Sequence, residues 1–509
     1  MPPATAVSSP GKVLLAGGYL VLDPKYSGVV VATSSRFYTV VAALPASAAR
    51  TQGPVQIRVR SPQFVDATWL YLVHVDQTGV RVEQAADESV TSTKNKFVQL
   101  ALQETLRLVW EAKGPQDLRD SLATGLDVTI AGDNDFYSQR AQLANRKLPP
   151  TLASLAQLPP FLHTGVRLPE VHKTGLGSSA ALITSLVSAL LLHLGAIPRD
   201  SFAAADGLAS ASDGRKLAHN VAQYVHCLAQ GKVGSGFDVS SAVFGSQLYT
   251  RFDPQVLQPL MENHLESVQS LSRILSPSNP AWDYRVAPFR LPPHTRLMLA
   301  DVDAGSDTPS LVGKVLKWRK ERPAEADALW ETLNAHNQAL SRVLLKLSDL
   351  AAAQSELYAV VVRYLASLQS AQWLAHPNIP TDKLKIIEAF AEAHQLTEAI
   401  RARMREMGTA AGVPIEPPEQ TALLDGCGAV AGVIGGGVPG AGGYDAIWVL
   451  VFDPAGIAAE ELPSRRVEAQ WQSWTALSVS PLSAGESAAK GVRVEELGAV
   501  PGLGALVAQ

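Results

Sequence analysis

The sequence predicts a chain of mixed strand and helix built in two blocks. Three observations predict it. Short β-branched and apolar runs broken by turns fill much of residues 13–130. Long three-to-four-residue apolar periodicities fill 311–407. An irregular stretch, 254–280, separates the two.

Each element follows in order. Residues 13–16 read as a strand entering the Gly17-Gly18 turn. Stretches 28–33 and 38–43 are rich in β-branched residues, whose stiff χ1 suits a pleated surface. Further strands are expected at 55–59, 69–75 and 127–130, and a helix at 97–112. The stretch 132–160, with Pro149-Pro150 and Pro159-Pro160, reads as a loop of a length that usually serves function. Residues 178–194 are helical until Gly195 and Pro198, and 217–228 form another helix. Glycines 231–236 break the chain before 237–249, and a strand at 244–252 closes the first block. A strand at 295–301 opens the second, with helices at 311–318, 324–346, 356–368 and 381–407. Within the glycine-rich tract 426–443, the stretch 435–443 sits between two short apolar runs and reads as a tight functional loop rather than a flexible linker, before an apolar strand, 446–452.

With 509 residues, 47% hydrophobic and 18% charged, the chain has ordinary globular composition. Its net charge of −4 and lack of long basic runs argue against nucleic acid or a membrane surface as partner. The basic cluster Arg319, Lys320 and Arg322 reads as a solvated helix face. An anionic substrate would need a local group of cations. Two distant cysteines, Cys227 and Cys427, indicate neither a disulfide framework nor a zinc site. No stretch reads as a signal peptide or membrane span, so a cytoplasmic, soluble protein is expected, as a monomer or homodimer.

The most specific local pattern is Lys173-Thr-Gly-Leu-Gly-Ser-Ser-Ala-Ala181, followed at once by an apolar helix. Gly175 and Gly177 allow positive φ and close approach of a ligand to the backbone. Amides at Gly177, Ser178, Ser179 and Ala180 would open the helix, where free N–H groups and the dipole favour polyphosphate. The bland alternative is a serine-capped helix after a glycine turn. Gly-Lys-[Ser/Thr] is missing, so this is no Walker A loop, and the spacing is wrong for a dinucleotide fingerprint.

Gly-Leu-Gly-Ser-Ser-Ala opening a helix resembles the phosphate loop of the GHMP kinases. Two more stretches resemble that family's motifs in order: Ser9-Pro-Gly-Lys-Val-Leu-Leu-Ala-Gly-Gly-Tyr-Leu-Val-Leu-Asp23 and Gly440-Ala-Gly-Gly-Tyr-Asp445. Asp133-Asn-Asp-Phe-Tyr-Ser138, Gly234-Ser-Gly-Phe-Asp-Val-Ser240, Gly305-Ser-Asp-Thr-Pro-Ser-Leu-Val312 and 439–445 are similar to the fungal branch that phosphorylates 5-phosphomevalonate. The resemblance implies an α+β fold with two lobes. The N-terminal lobe is like ribosomal protein S5 domain 2. The C-terminal lobe is ferredoxin-like with helical insertions. Boundaries are expected at 1–252, a connection at 253–292, and 293–509. It also implies ATP and Mg²⁺ in the cleft. Other acceptors (mevalonate, a sugar), a diphosphomevalonate decarboxylase and a ligand sensor without catalysis share that fold.

The resemblance further assigns residues. Lys12 matches a lysine between donor and acceptor phosphates, and Asp238 the family's catalytic aspartate. An acceptor phosphate has a second pKa near 6 and needs little help from a base, so Asp238 is expected to orient Lys12 or hold a metal-bound water. For the nucleotide the candidates are Gly175, Leu176, Gly177, Ser178, Ser179 and Ala180, with Ser178 on Mg²⁺ and Ser179 on phosphate. Tyr137 and Ser138 are candidates to contact nucleotide or to order their loop. Where relatives carry a metal-binding glutamate this chain aligns His226, a poor Mg²⁺ ligand and expected as a packed helix residue. For the acceptor the candidates are Gly17, Gly18, Tyr19, Lys94, Lys173, Ser306, Thr308, Gly440, Ala441, Gly442 and Gly443. Lys96 and Arg140 are further cations within reach of the motifs.

Overall fold

The computed structural model describes residues 4–45, 53–85, 94–203, 208–262, 270–302, 308–375 and 379–509. Strand β1 (Thr5–Ala16) pairs antiparallel with β2 (Ser27–Ala43) at the middle of the larger sheet. The sequence reading split β2 in two at its polar middle. It runs unbroken because Arg36, buried there, donates from Nε to Ser8 Oγ (2.6 Å) and from Nη2 to the Gly491 carbonyl (2.6 Å). A buried guanidinium with carbonyl and hydroxyl acceptors can stay inside.

Strands β3 (Val55–Arg60), β4 (Thr68–Val75) and β5 (Val80–Gln84) follow, then helix α1 (Lys96–Lys113) and strand β6 (Leu126–Gly132). Expected loop 132–160 holds two short helical pieces, Arg140–Asn145 and Leu152–Leu155. Helix α2 (Ser178–His193) is apolar on nearly every side, because the sheet, α1 and α3 (Asp213–Gln230) all cover it. Helix α4 (Phe237–Phe244) and strands β7 (Gln247–Thr250) and β8 (Arg285–Pro288) complete this part. Residues 237–249 thus divide into a helix and a strand, and β8 draws the end of the expected connection into the first sheet.

The second block begins with β9 (Thr295–Val302) and continues through α5 (Thr308–Glu321), α6 (Pro323–Ala353), α7 (Ser355–Leu365), α8 (Thr381–Ala411) and α9 (Pro418–Gly428). It closes with β10 (Val433–Gly437), β11 (Ala446–Phe452), α10 (Pro463–Ser473) and β12 (Val479–Leu482). The four strands form an antiparallel sheet in the order β10-β11-β9-β12. The first three residues of the expected loop 435–443 are therefore strand. Gly435 stands where a Cβ would lie 2.9 Å from Thr397 of α8, so the helix packs directly on strand backbone.

The chain then leaves this lobe. Strand β13 (Arg493–Glu495) pairs with the free edge of β1, giving the order β13-β1-β2-β6-β3-β4-β5 with β7 and β8 beside β2. Leu503 and Leu506 bury against Tyr38, Val40 and Phe161. The last segment of the expected 293–509 block thus packs on an open strand edge and an apolar patch of the first sheet. Cys227 and Cys427 are free and buried, and among the described residues no helix is long and apolar enough to cross a membrane.

Candidate active site

Between the lobes lies a cleft lined by Lys12, Tyr19, Lys173, Gly175, Gly177, Ser178 and Ser179 on one side and Gly440, Ala441 and Gly442 on the other. Its floor is the mouth of α2. The N-cap Gly177 is left-handed (φ 78°), and the first amide bonded back to it is that of Ala181 (3.1 Å). The amides of Ser178, Ser179 and Ala180 therefore have no acceptor within the helix and are available to an anion. Leu176 and Ala180 have buried side chains and offer the cleft only backbone.

Lys12 is held against this mouth by both ends. Its amide donates to the Leu176 carbonyl (2.9 Å), and its ammonium donates to the Gly175 carbonyl (2.9 Å). A bulge between Pro10 and Lys12 in β1 re-aims the side chain. Two glycines make the approach possible. A Cβ on Gly11 would lie 2.8 Å from the Leu176 carbonyl oxygen, and one on Gly177 would lie 3.0 Å from Lys12 Cε. The ammonium also sits 5.6 Å from the Phe237 ring centroid. Burial pulls the Lys12 pKa below its ordinary value, and the charge of Asp238 pulls it back.

Asp238 stands in the first turn of α4, after left-handed Gly236, where the helix dipole favours a carboxylate. Its Oδ1 accepts from the Val239 amide (2.9 Å) and its Oδ2 lies 3.8 Å from His226 Nδ1. Buried Arg251 pins the preceding turn by donating to the carbonyls of Val233 (3.0 Å) and Gly234 (2.6 Å). Sequence reasoning gave Arg251 no part.

The remaining candidates divide. Tyr19 lines the cleft and its hydroxyl donates to the Ala441 carbonyl (2.7 Å), tying the lobes together, and burial raises the phenol's pKa well above its usual value. Lys173 lines the cleft too, its pKa lowered by burial. Gly17 and Gly18 instead line a smaller cavity behind, with Arg401, Met404 and Trp448, because Gly18 packs against Gly440 and Met404. Gly443 uses its amide on the Ile415 carbonyl (2.8 Å). Lys94 is exposed just ahead of α1 and is not among the lining residues. Ser306 and the Thr308 side chain lie outside the described residues.

Tyr137 and Ser138 make their contacts within the protein and are not among the residues lining the cleft. Tyr137 is buried edge-on against Phe64 (5.1 Å between centroids). Ser138 donates to Asp301 Oδ2 (2.7 Å), which Arg140 Nε also reaches (2.9 Å) from the same loop. Asp301 is on β9, so this cluster joins the lobes. Lining residues that sequence reasoning gave no part include Lys232, Gln223 and Gln230. Gln223, His226 and Gln230 fall three and four apart on α3, a spacing that marks one face. Lys232 sits between Gly231 and Gly234, the signal of a lysine on a tight turn.

No family model matches the chain. It is 39% identical over 472 residues to the peroxisomal phosphomevalonate kinase of Arabidopsis thaliana, covering 89% of this chain and 91% of that protein. To the phosphomevalonate kinase of Aspergillus fumigatus it is 37% identical over 505 residues, covering 93% and 91%. The chain belongs to the phosphomevalonate kinase family. Membership in that family makes it an ATP-dependent kinase.

The fold agrees. A solved structure of Streptococcus pneumoniae phosphomevalonate kinase with phosphomevalonate and AMPPNP superposes with a TM-score of 0.56 at 15% identity, covering 95% of this chain and 99% of that one. A Listeria innocua protein, Lin0012, superposes at 0.60 and 15%, covering 97% and 100%. The two-lobed GHMP kinase fold is therefore that of this chain. The site fits the nucleotide such kinases use: a left-handed glycine mouth, free amides and an ammonium suit a polyphosphate. It also fits a hard cation carried by that nucleotide. Ser178, Ser179 and Asp238 supply oxygen donors, while the described residues hold no group of three His, Cys, Asp or Glu side chains.

Proposed function

We propose that this cleft transfers the γ-phosphoryl group of ATP to the phosphate of 5-phosphomevalonate, giving 5-diphosphomevalonate and ADP. The observation that carries the reading is Lys12, whose ammonium is held 2.9 Å from the Gly175 carbonyl at the mouth of α2. Two anions must approach in this reaction, and their repulsion is the main obstacle.

In this reading an oxygen of the acceptor phosphate forms the new bond to the γ-phosphorus. The bond from that phosphorus to the bridging oxygen breaks, and its electron pair leaves with ADP. The amides of residues 178–180 orient the donor phosphates. Lys12 offsets charge on the transferring group, and Lys173 and Lys232 add positive charge on the cleft wall. Asp238 orients Lys12 through its field and accepts no proton, since the acceptor phosphate is mostly dianionic at neutral pH. Ser178 is the proposed protein ligand for Mg²⁺, whose contribution when bound would be to neutralise phosphate charge. Tyr19 and the 440–442 backbone close over the acceptor and exclude water. A cytoplasmic location and a monomer or homodimer belong to the same proposal.

A coupled ADP-release assay with Mg-ATP tests it, comparing 5-phosphomevalonate, mevalonate and galactose. Product mass separates the kinase from a decarboxylase. Turnover of mevalonate or galactose above that of 5-phosphomevalonate, or loss of CO₂, would sink the proposal.

A further inference from the structure

We propose that His226 is a positioning residue whose two ring nitrogens hold Ser179 of the phosphate loop and Asp238 of α4 in fixed relation. The proposal rests on the placement of Ser179 and Asp238 at the reacting centre given above.

His226 is 2% exposed and lies on the α3 face that lines the cleft. Its Nε2 is 3.1 Å from Ser179 Oγ and 3.2 Å from Gln230 Nε2. A carboxamide nitrogen can only donate. With Gln230 turned so that its nitrogen faces the ring, Nε2 is the bare, accepting nitrogen, because a proton there would point at the N–H of Gln230. The ring proton is left on Nδ1, 3.8 Å from Asp238 Oδ2. That distance is too long for a hydrogen bond, so the ring holds Asp238 by electrostatic attraction.

Two consequences follow. The Ser179 hydroxyl donates to Nε2, so its oxygen lone pairs, not its proton, face the cleft. Ser179 cannot then donate to a phosphate as the sequence reading expected. Asp238 is held at Oδ1 by the Val239 amide, which leaves Oδ2 facing the ring at 3.8 Å.

The two arms can be separated in the full-length enzyme. His226→Gln carries its carboxamide out to the depth of Nε2 and keeps an acceptor for Ser179. His226→Asn stops at the depth of Nδ1 and keeps an N–H toward Asp238. His226→Leu removes both. Steady-state kinetics with Mg-ATP and 5-phosphomevalonate should show kcat down about 10–100-fold in His226→Leu, the usual scale for a residue acting through another. KM for 5-phosphomevalonate should change less than about threefold. His226→Gln should restore KM for ATP more than kcat, and His226→Asn kcat more than KM for ATP. Adding His226→Leu to Asp238→Asn should lower kcat by much less than it does alone.

His226→Leu with kcat and both KM values within twofold of the parent overturns the proposal. So does a folded His226→Gln and His226→Asn pair that are both as impaired as His226→Leu. If Asp238→Asn itself keeps full kcat, the underlying placement of Asp238 has failed instead, and that result is distinguishable from the other two.

Discussion

Replacing Lys12 with methionine removes the charge held against the mouth of α2 while keeping most of the length of the side chain. A phosphate seated on that mouth would lie about 4 Å from the ammonium. At an effective dielectric near 20, one charge pair at that distance is worth about 4 kcal/mol. If this attraction grows as the two phosphates are forced together, the loss falls on the transition state. The expected result is a fall in kcat of about a thousand-fold, with KM for ATP changing far less. Stability should not fall. Lys12 is partly buried and its pKa is lowered by that burial, so methionine relieves a desolvation cost that offsets the lost bond to the Gly175 carbonyl. The assay is coupled ADP release with saturating 5-phosphomevalonate, beside a thermal melt of each protein. A folded Lys12→Met enzyme with kcat within tenfold of the parent would refute the charge argument. Asp238→Asn should lose less than Lys12→Met; an equally deep loss would point to proton abstraction.

Gly11→Ala places a Cβ 2.7 Å from Thr33 Oγ1 and 2.8 Å from the Leu176 carbonyl oxygen. It should destabilise the protein by about 1–3 kcal/mol in urea titration and raise KM for ATP, since the loop must retreat from β1. Ser138→Ala removes the bond to Asp301, which Arg140 still pairs, so stability should drop by about 1 kcal/mol. Its KM for ATP should hold within twofold, and a tenfold rise would return Ser138 to the nucleotide. Glu104 is buried near Tyr224 and Arg107, and burial raises its pKa to about 7. The folded state then keeps a proton that the unfolded chain loses near pH 4.5, so stability falls as pH rises between those values and stays low above them. Glu104→Gln should therefore raise the melting temperature at pH 8 and leave it unchanged near pH 4, and an equal shift at both would discount the carboxyl. Asp133, also raised to about 7 by burial, should leave the variant some of the same slope.

The strands and helices with strong periodicity were legible, because their pattern is local. Expected strand 446–452 matches β11 residue for residue, and expected helix 97–112 falls within α1. The legible part of the site was the stretch where chemistry is written into adjacent residues: Lys12 after Pro10-Gly11, the 173–181 loop, and Asp238 after a glycine turn. Long-range partners were not legible. Arg36 keeps β2 whole only because Ser8 and Gly491 lie beside it, and Ser138 turns to Asp301 across 163 positions of chain.

By itself the sequence determined the chemistry available: a glycine mouth on an apolar helix, one lysine after a Pro-Gly pair and one aspartate after a glycine turn. These depend on backbone permissiveness and local dipoles, which neighbouring residues set. The tertiary structure alone decided which side chains face the cleft. It turned Gly17 and Gly18 to a rear cavity, brought Lys232 and the Gln223–His226–Gln230 face to the front, and returned the carboxyl end to the first sheet. Those outcomes depend on which surfaces of distant elements fit together, and no local pattern carries that information.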